Sequence, residues 1–417
     1  MLQSFELRLL SPQGEYLFSL RDVSSIEYGR KKNDEGIAIV ELDGSSYDFD
    51  IFQRDCILEI YKVNEYTGKS ELQGNTCWFL RKVELDVEDK TSEKITLTFY
   101  DTITLLTRRI VAWAGVADPN YPSIILDFLD NIISLIAWYN FGEAVVSPTY
   151  ANSSITGYTP SGSFAATPAI ESWQFDEYGA SSGDIINRKF PITIPMPPTQ
   201  STLTGTHRFE FETVLKAMQD IAESAQLQGE SIWFDIEYFP ATVINGSQFI
   251  FRTWVKARGT DRTTRGNRIV IGPEFGNMTD VKITKDWTTE ATLIYVGGNG
   301  DNELKDMASV SKNQPDAPFY PIESYISVNV GDGAGVHETE ALKNEGKIEL
   351  AKRSVFQIME GEIISQPPTE FGKDFYYGDI LVAKYKGYEK NVEVAEYKIS
   401  VDSSGFKITI PFSTVEG

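Results

Sequence analysis

Two histidines, His207 and His337, are the side chains best suited to act as a catalytic base or to bind a transition metal in this 417-residue sequence. Neither stands at a spacing from other ligand residues that is typical of a metal site. A nucleophile–histidine–carboxylate set would need one of them, and neither has a suitable neighbour. The sequence therefore predicts no catalytic residue, no cofactor and no metal ion.

Carboxylates are numerous, with 60 Asp and Glu residues, so a pair arranged for glycoside hydrolysis could lie anywhere in the chain. The sequence cannot place two of them on either side of a bond. Asp86, Glu88 and Asp89 fall on a strand end and a polar turn, where a solvated surface is the better interpretation. Cys56 and Cys77 are predicted to be free thiols, as expected in a reducing compartment.

One cluster of arginines stands out in an otherwise acidic chain. It lies in Gly259–Arg268 and contains Arg262, Arg265 and Arg268. Such a cluster could bind phosphate or an acidic loop of a partner protein. A hairpin loop balanced by its own Asp261 is an equally good explanation. Of the binding alternatives, the sequence favours a protein–protein contact.

The overall composition is that of a folded, acidic protein. Hydrophobic residues make up 41% and aromatic residues 12%, and the formal net charge is −22. A protein that holds DNA needs a basic face, so stable DNA binding is disfavoured. The most apolar stretch, Ser123–Trp138, is too short and too charged to span a bilayer, which predicts no stable membrane insertion.

The elements that would position these residues are mainly strands. Alternating apolar residues predict strands in the first hundred residues and again near the C-terminus. Apolar residues at helical spacing predict a helix after Pro122, a second from Glu212 and a third over Glu338–Arg353. The predicted fold class is α+β, mainly antiparallel β, with two similar small β-barrel domains and helical and irregular insertions.

Two segments near the ends of the chain look alike. Asp55–Lys62 and Asp379–Lys386 share an Asp, an apolar pair and a Tyr-Lys pair, which is Tyr61-Lys62 in the first and Tyr385-Lys386 in the second. Each is followed by a strand, a polar turn and an alternating strand. The likeness predicts a module that occurs twice. The alternative is that all antiparallel hairpins resemble one another.

The order of these pieces resembles the tail hub proteins of long-tailed phages, a family related in fold to the baseplate hubs of contractile-tailed phages. The resemblance covers most of the chain. It rests on Tyr28–Asp34, Asp55–Tyr61, Trp78–Leu85, Arg258–Thr263, Gly276-Asn277, Leu293–Gly300 and Tyr377–Val382. It implies a homotrimer in which each chain contributes two barrels to a ring of six that continues the tail tube.

Four domains are predicted. Residues 1–110 form the first barrel, and residues 111–230 form a helical and irregular insertion with a Ser/Thr/Gly/Pro-rich excursion over 145–206. Residues 231–337 form a mixed β middle domain, and residues 338–417 form a helix and the second barrel. The excursion departs from compact members of the family.

The function predicted from the resemblance is structural. The chain would join the tail tube to the tail tip in the virion, after assembly in the host cytoplasm. Its partners would be the distal tail protein or tube ring, tip or fibre proteins, the tape-measure protein and, in transit only, DNA. The candidate interface or barrel-repeat positions are Asp55, Tyr61, Trp78, Arg258, Arg262, Arg265, Gly378, Asp379 and Tyr385. A tail-associated cell-wall hydrolase and a host-glycan-binding module are the alternatives.

Overall fold

The protein is described from a computed structural model. It describes residues 5–63, 69–89, 92–111, 123–141, 192–195, 199–209, 212–240, 248–298, 306–312, 319–328, 336–353, 356–403 and 405–416. Within these ranges there are 23 strands and four α-helices. The predicted class, mainly antiparallel β with few helices, is confirmed. Most of the excursion predicted over 145–206 lies outside the described residues, as does the glycine-rich run over 331–335.

The strands are β1 (Phe5–Leu10), β2 (Tyr16–Ser19), β3 (Val23–Lys31), β4 (Asp34–Asp43), β5 (Ile57–Val63), β6 (Ser70–Leu72), β7 (Trp78–Asp89), β8 (Ser92–Asp101), β9 (Ser123–Phe128), β10 (Ile192–Thr193), β11 (Thr204–Phe209), β12 (Ile232–Phe239), β13 (Gln248–Val255), β14 (Val270–Ile271), β15 (Met278–Asp286), β16 (Leu293–Gly297), β17 (Met307–Ser311), β18 (Glu323–Ser327), β19 (Phe356–Ile363), β20 (Ile380–Tyr385), β21 (Tyr388–Glu393), β22 (Glu396–Asp402) and β23 (Gly405–Glu416). The helices are α1 (Thr104–Thr107), α2 (Leu129–Phe141), α3 (Val214–Leu227) and α4 (Val336–Lys352).

The helix predicted after Pro122 is wrong in its first part. Residues 123–128 form β9, which pairs antiparallel with β11, and α2 begins only at Leu129. A short apolar run has no periodicity that separates a strand from a buried helix, so the partner strand decides. The other two helices are confirmed, and α3 begins where the Thr213 side chain accepts a hydrogen bond from the Lys216 N–H.

One large sheet organises the fold. Its strand order is β15-β19-β23-β22-β3-β4-β8-β7-β5-β1-β2, with β6 paired to β5, and every one of these ladders is antiparallel. Among the described residues this path has two ends and does not close into a ring. The barrels therefore stay a prediction, as do the four domain boundaries.

Hydrophobic residues gather into three cores. The first lies under the large sheet and contains Tyr28, Trp78 and Phe99, and the second packs α2 and α3 against the sheet β10-β13-β12. The third is small and lies between α4 and the sheet β17-β16-β18. Cys56 and Cys77 are buried, free thiols, which confirms the prediction that they do not form a disulfide.

The predicted closing strand Val392–Val401 is two strands. Its first residues complete β21, which pairs with β20, and the later ones form β22 in the large sheet. The chain thus leaves one sheet and enters another within a few residues. This change of sheet brings the C-terminal strands beside the N-terminal ones.

Candidate assembly surface

Two sets of strands from opposite ends of the chain share one hydrogen-bonding pattern. In the first set, the Asp55 N–H donates to the Leu80 carbonyl over 3.0 Å, and the Leu80 N–H donates to the Cys56 carbonyl over 2.9 Å. In the second set, the Gly378 N–H donates to the Val394 carbonyl over 2.9 Å, and the Val394 N–H donates to the Asp379 carbonyl over 2.9 Å. Gly378, Val394 and Asp379 thus correspond to Asp55, Leu80 and Cys56. The next pairs agree too, because Ile57 faces Phe79 just as Ile380 faces Glu393.

This pattern corrects the alignment drawn from the sequence. The shared acids, Asp55 and Asp379, are one residue out of step, because Asp55 corresponds to Gly378. A shift of one residue turns each side chain of a strand to the opposite face. Asp55 is accordingly half-buried, whereas Asp379 is buried.

The likeness extends to strand order. The first strand group runs β3-β4-β8-β7, and the second runs β15-β19-β23-β22, both with antiparallel ladders throughout. The groups lie side by side because β22, at one edge of the second group, pairs with β3, at one edge of the first. We call this ladder the β22–β3 junction.

The β22–β3 junction is tight. Tyr28 lies opposite Ile399 and Gly29 lies opposite Lys398. A Cβ atom added at Gly29 would stand 2.4 Å from the Tyr397 carbonyl oxygen. The outward face of the junction carries an ion pair of 2.7 Å between Lys398 Nζ and Glu27. Glycine at position 29 therefore permits the close approach of the two strand groups.

Replacing Gly29 by Ala is expected to lower the free energy of unfolding by about 1–3 kcal/mol, the usual cost of overpacking a close contact. The contact is with backbone, which cannot rotate away. Urea unfolding measures the change. Lys398→Ala is the matched control on the same ladder, and an exposed ion pair is worth only about 0–1 kcal/mol. Equal losses in both variants would refute the steric explanation.

A buried cluster of charges joins the first strand group to the sheet of β12. The Arg30 guanidinium reaches Asp101 over 2.9 Å and Asp235 over 2.6 Å, and all three side chains are nearly inaccessible to solvent. Arg258 approaches the other oxygen of Asp235 to 2.9 Å. The Arg30 guanidinium also donates to the Gly74 carbonyl over 3.1 Å. The cluster fixes strands that are far apart in the chain.

The two carboxylates of this cluster are unequal. Burial raises the pKa of Asp101 to about 6, against the opposing attraction of Arg30. Burial also disfavours the charged form of Asp235, but Arg30 and Arg258 outweigh it and hold its pKa below the usual range. Two cations and two carboxylates thus neutralise each other inside the fold. Arg258, a candidate interface residue, belongs to this internal cluster.

Asp379 organises the loop that carries the other arginines. Its carboxylate accepts hydrogen bonds from the Arg262 guanidinium over 2.6 Å and from the backbone N–H of Thr260 over 2.6 Å. The preceding Gly378 has a φ of 89°, which favours glycine. Of the three candidate arginines, Arg258, Arg262 and Arg265, only Arg265 is exposed to solvent. The structure therefore brings Arg262, Gly378 and Asp379 together where the arginine loop is hydrogen-bonded to the start of β20.

The remaining candidate positions lie mostly inside. Trp78 is fully buried in the first core and Tyr61 is buried, with its hydroxyl donating to Glu59 over 3.1 Å. Tyr385 is half-buried at the end of β20. Asp55 forms ion pairs with Arg81 over 2.8 Å and with Arg108 over 2.7 Å.

Sequence reasoning missed a set of exposed apolar residues at the far end of β7. Leu85 is 42% exposed and Val87 is 58% exposed, although Ile95, the strand partner of Leu85, is fully buried. The available signal was the apolar alternation of β7, which continues well beyond its pairing with β5.

Several lysines on the outward face of the large sheet form ion pairs with carboxylates. Lys94 lies 2.6 Å from Glu41, and Lys82 lies 2.8 Å from Glu84. Lys282 lies 3.3 Å from Glu360. Each of these lysines therefore has its charge offset by a neighbouring carboxylate.

No group of three or more possible metal ligands occurs within the described ranges. None of the described helices is long and apolar enough to cross a membrane.

Comparison with known proteins gives one family. The model of the Siphovirus ReqiPepy6 Gp37-like protein family matches residues 6–412. No curated protein matches. Among solved structures, a 43 kDa tail protein of prophage MuSo2 from Shewanella oneidensis is 11% identical, with 98% of each chain covered and a TM-score of 0.49. A tail protein from Neisseria meningitidis MC58 is 10% identical, with 99% of this chain and 97% of that chain covered and a TM-score of 0.49.

Proposed function

Since the chain belongs to the siphovirus Gp37-like protein family, we propose that it is a structural protein of the phage tail, the hub at the distal end of the tail tube. The family membership confirms the predicted origin in a long-tailed phage. Three copies form a ring that joins the tube to the tail tip. The ring surrounds the channel used by the tape-measure protein and by DNA.

One observation carries this proposal. The two strand groups have the same strand order and lie side by side in one sheet, joined at the β22–β3 junction. A chain that presents two like modules can occupy two positions of a sixfold ring, so three chains match a sixfold tube. Closed cyclic symmetry is also the commonest arrangement of identical chains.

The test is the mass and symmetry of the purified particle. Native mass spectrometry should give three chains of 46.8 kDa each, and negative-stain class averages should show a ring with six similar lobes. A particle of two or four chains, or a ring without a central opening, would refute the hub. Gold-labelled antibodies against the chain should mark the tail tip of the virion.

Double-stranded DNA is expected to bind weakly or not at all at physiological salt. The chain carries a net charge of −22, and three lysines of the large sheet, Lys82, Lys94 and Lys398, are paired with carboxylates. Each phosphate contact would add affinity, with a salt slope of about −0.9, and would slow DNA in transit. Fluorescence anisotropy with a labelled duplex measures the binding. Dissociation constants in the micromolar range or below would contradict a net acidic or neutral channel wall.

The hub is not expected to hydrolyse cell-wall polymers. The sequence shows no recognisable nucleophile–histidine–carboxylate set, and the buried acids Asp101 and Asp235 are neutralised by arginine. Zymography on peptidoglycan and a peptidase assay provide the measurement. Clearing that persists through purification and is lost in a carboxylate variant would favour the hydrolase instead.

We assign the internal candidate residues to architecture and the exposed ones to docking. Arg262, Gly378 and Asp379 hold the loop that presents Arg265. This loop is a contact for an acidic surface of a neighbouring tail protein, either the distal tail protein or a tip or fibre protein.

A further inference from the structure

Besides β2, at one end of the strand order, and the short β6, two strands of the large sheet have an open backbone edge among the described residues. One is β15, which among the described residues pairs only with β19. The other is the outer part of β7, the residues beyond Arg81. On one side of β7, β5 pairs only with Trp78 and Phe79. Beyond Arg81, β7 therefore has a partner strand only on the β8 side among the described residues. Unpaired edges are normally covered or paired, because they offer free N–H and C=O groups to another strand.

The outer part of β7 also leaves apolar side chains uncovered. Leu85 and Val87 are exposed, and Val83 is half-buried. Their counterparts in the second strand group are all buried: Tyr397, Ile399 and Val401. These counterparts lie in β22, whose backbone edge is paired with β3. The first strand group lacks such a neighbour strand beside β7 within the described ranges.

The strand that corresponds to β3 in the second group is β15. Ile26 lies opposite Val40 in β4, as Met278 lies opposite Ile363 in β19. The strand that would cover β7 is therefore present in the sequence. In this chain it stands at the opposite end of the order β15-β19-β23-β22-β3-β4-β8-β7, so it does not reach β7.

We propose that β15 of a second copy of this chain pairs antiparallel with residues Lys82–Val87 of β7. The contact repeats between chains the β22–β3 junction found within one chain. The number of copies, three, rests on the proposed hub, whereas the pairing itself follows from the ladders of a single chain. The interface is heterologous, since each chain offers β7 to one neighbour and β15 to the other.

The β22–β3 junction supplies the register of this pairing. There Lys398 lies opposite Gly29, and Val401 lies opposite Ile26. Transferred to the corresponding residues, the register places Glu84 opposite Lys282 of the second copy and Val87 opposite Met278 of the second copy. An acid then faces a base, and an exposed apolar side chain meets another apolar side chain. Both kinds of cross-strand pair are favourable.

Disulfide trapping tests the register. Opposed residues of an antiparallel ladder have Cα atoms about 4.5–5.5 Å apart, which lies within the range for a disulfide. The double variant E84C/K282C should give covalent dimers and trimers under mild oxidation, and peptide mass spectrometry should find the 84–282 link. The native thiols Cys56 and Cys77 are buried and give little background. The matched control D86C/K282C is two residues out of register and should link at least tenfold less.

Mixing experiments test the polarity of the contact. Equal amounts of E84C and K282C single variants should give linked dimers and no linked trimers, because each chain then carries one reactive edge. Leu85→Lys tests the apolar part: this side chain is already 42% exposed in the single chain, so the fold should persist by far-UV circular dichroism while assembly is lost. Phe275→Lys, at an exposed site 55% accessible outside both edges, should still assemble.

The outcomes separate this inference from the proposed hub. A trimer that forms no 84–282 link, and that L85K leaves intact, overturns the edge pairing and leaves the hub standing. An 84–282 link in open chains of many copies supports the pairing and rejects the closed ring. A protein that remains monomeric and unlinked rejects both.

Discussion

Replacing Arg30 by Ala is expected to lower the free energy of unfolding by about 3–5 kcal/mol, the usual cost of removing one partner from a buried ion pair. The substitution leaves Asp101 without the cation that lies 2.9 Å away, and it removes one of the two arginines that neutralise Asp235. Urea unfolding at one fixed protein concentration, followed by tryptophan fluorescence, measures the loss. The fixed concentration matters because assembly would add to the apparent stability.

Three comparisons make this prediction specific. Arg265→Ala removes an exposed arginine and should change stability by less than about 0.5 kcal/mol. The double variant R30M/D101N removes charge on both sides and should recover part of the loss, since no unpaired carboxylate is left at position 101. The loss in R30A should also shrink at acid pH, because protonation neutralises the stranded Asp101. A loss below about 1 kcal/mol in R30A would show that the cluster does not hold the strands together.

Trp78→Ala is expected to cost about 3–5 kcal/mol, as for other large aromatic side chains removed from a core. Trp78 is 1% exposed and packs edge-on against Tyr28, with ring centroids 6.2 Å apart. Its ring, on β7, therefore contacts that of Tyr28, on β3, inside the first core. The same urea titration applies, now followed by far-UV circular dichroism because a tryptophan is lost.

Two variants control for this result. Trp78→Phe should cost clearly less than Trp78→Ala, because it keeps most of the apolar contact and removes an indole N–H that has no acceptor among the described residues. Trp287→Ala removes a tryptophan that is 56% exposed, so it should be nearly neutral. Equal effects at positions 78 and 287 would contradict the assigned core.

The sequence predicted the fold class well because strand periodicity is local. Alternation such as Ile95, Leu97 and Phe99 shows which face of a strand is buried, and those three side chains are indeed buried on one face. Residues 123–128 show the limit of this signal. Their apolar run is ambiguous until β11 is known to pair with it.

The repeated segments were visible in the sequence, but their alignment was one residue out. Residue identity aligned Asp55 with Asp379, whereas the backbone hydrogen bonds align Asp55 with Gly378. Hydrogen bonds between strands are made by backbone atoms, which every residue has. Matching side-chain types therefore cannot fix a register to one residue.

By itself the sequence determined the mainly antiparallel β architecture, the absence of a recognisable catalytic set and the acidic character that disfavours DNA binding. Only the tertiary structure decided that β22 lies beside β3, that Arg30 meets Asp235, and that Leu85 is uncovered. The physical reason is separation along the chain. The first two are contacts between residues that are hundreds of positions apart, and local periodicity and propensity carry no information about which distant strands become neighbours or which strand stays uncovered.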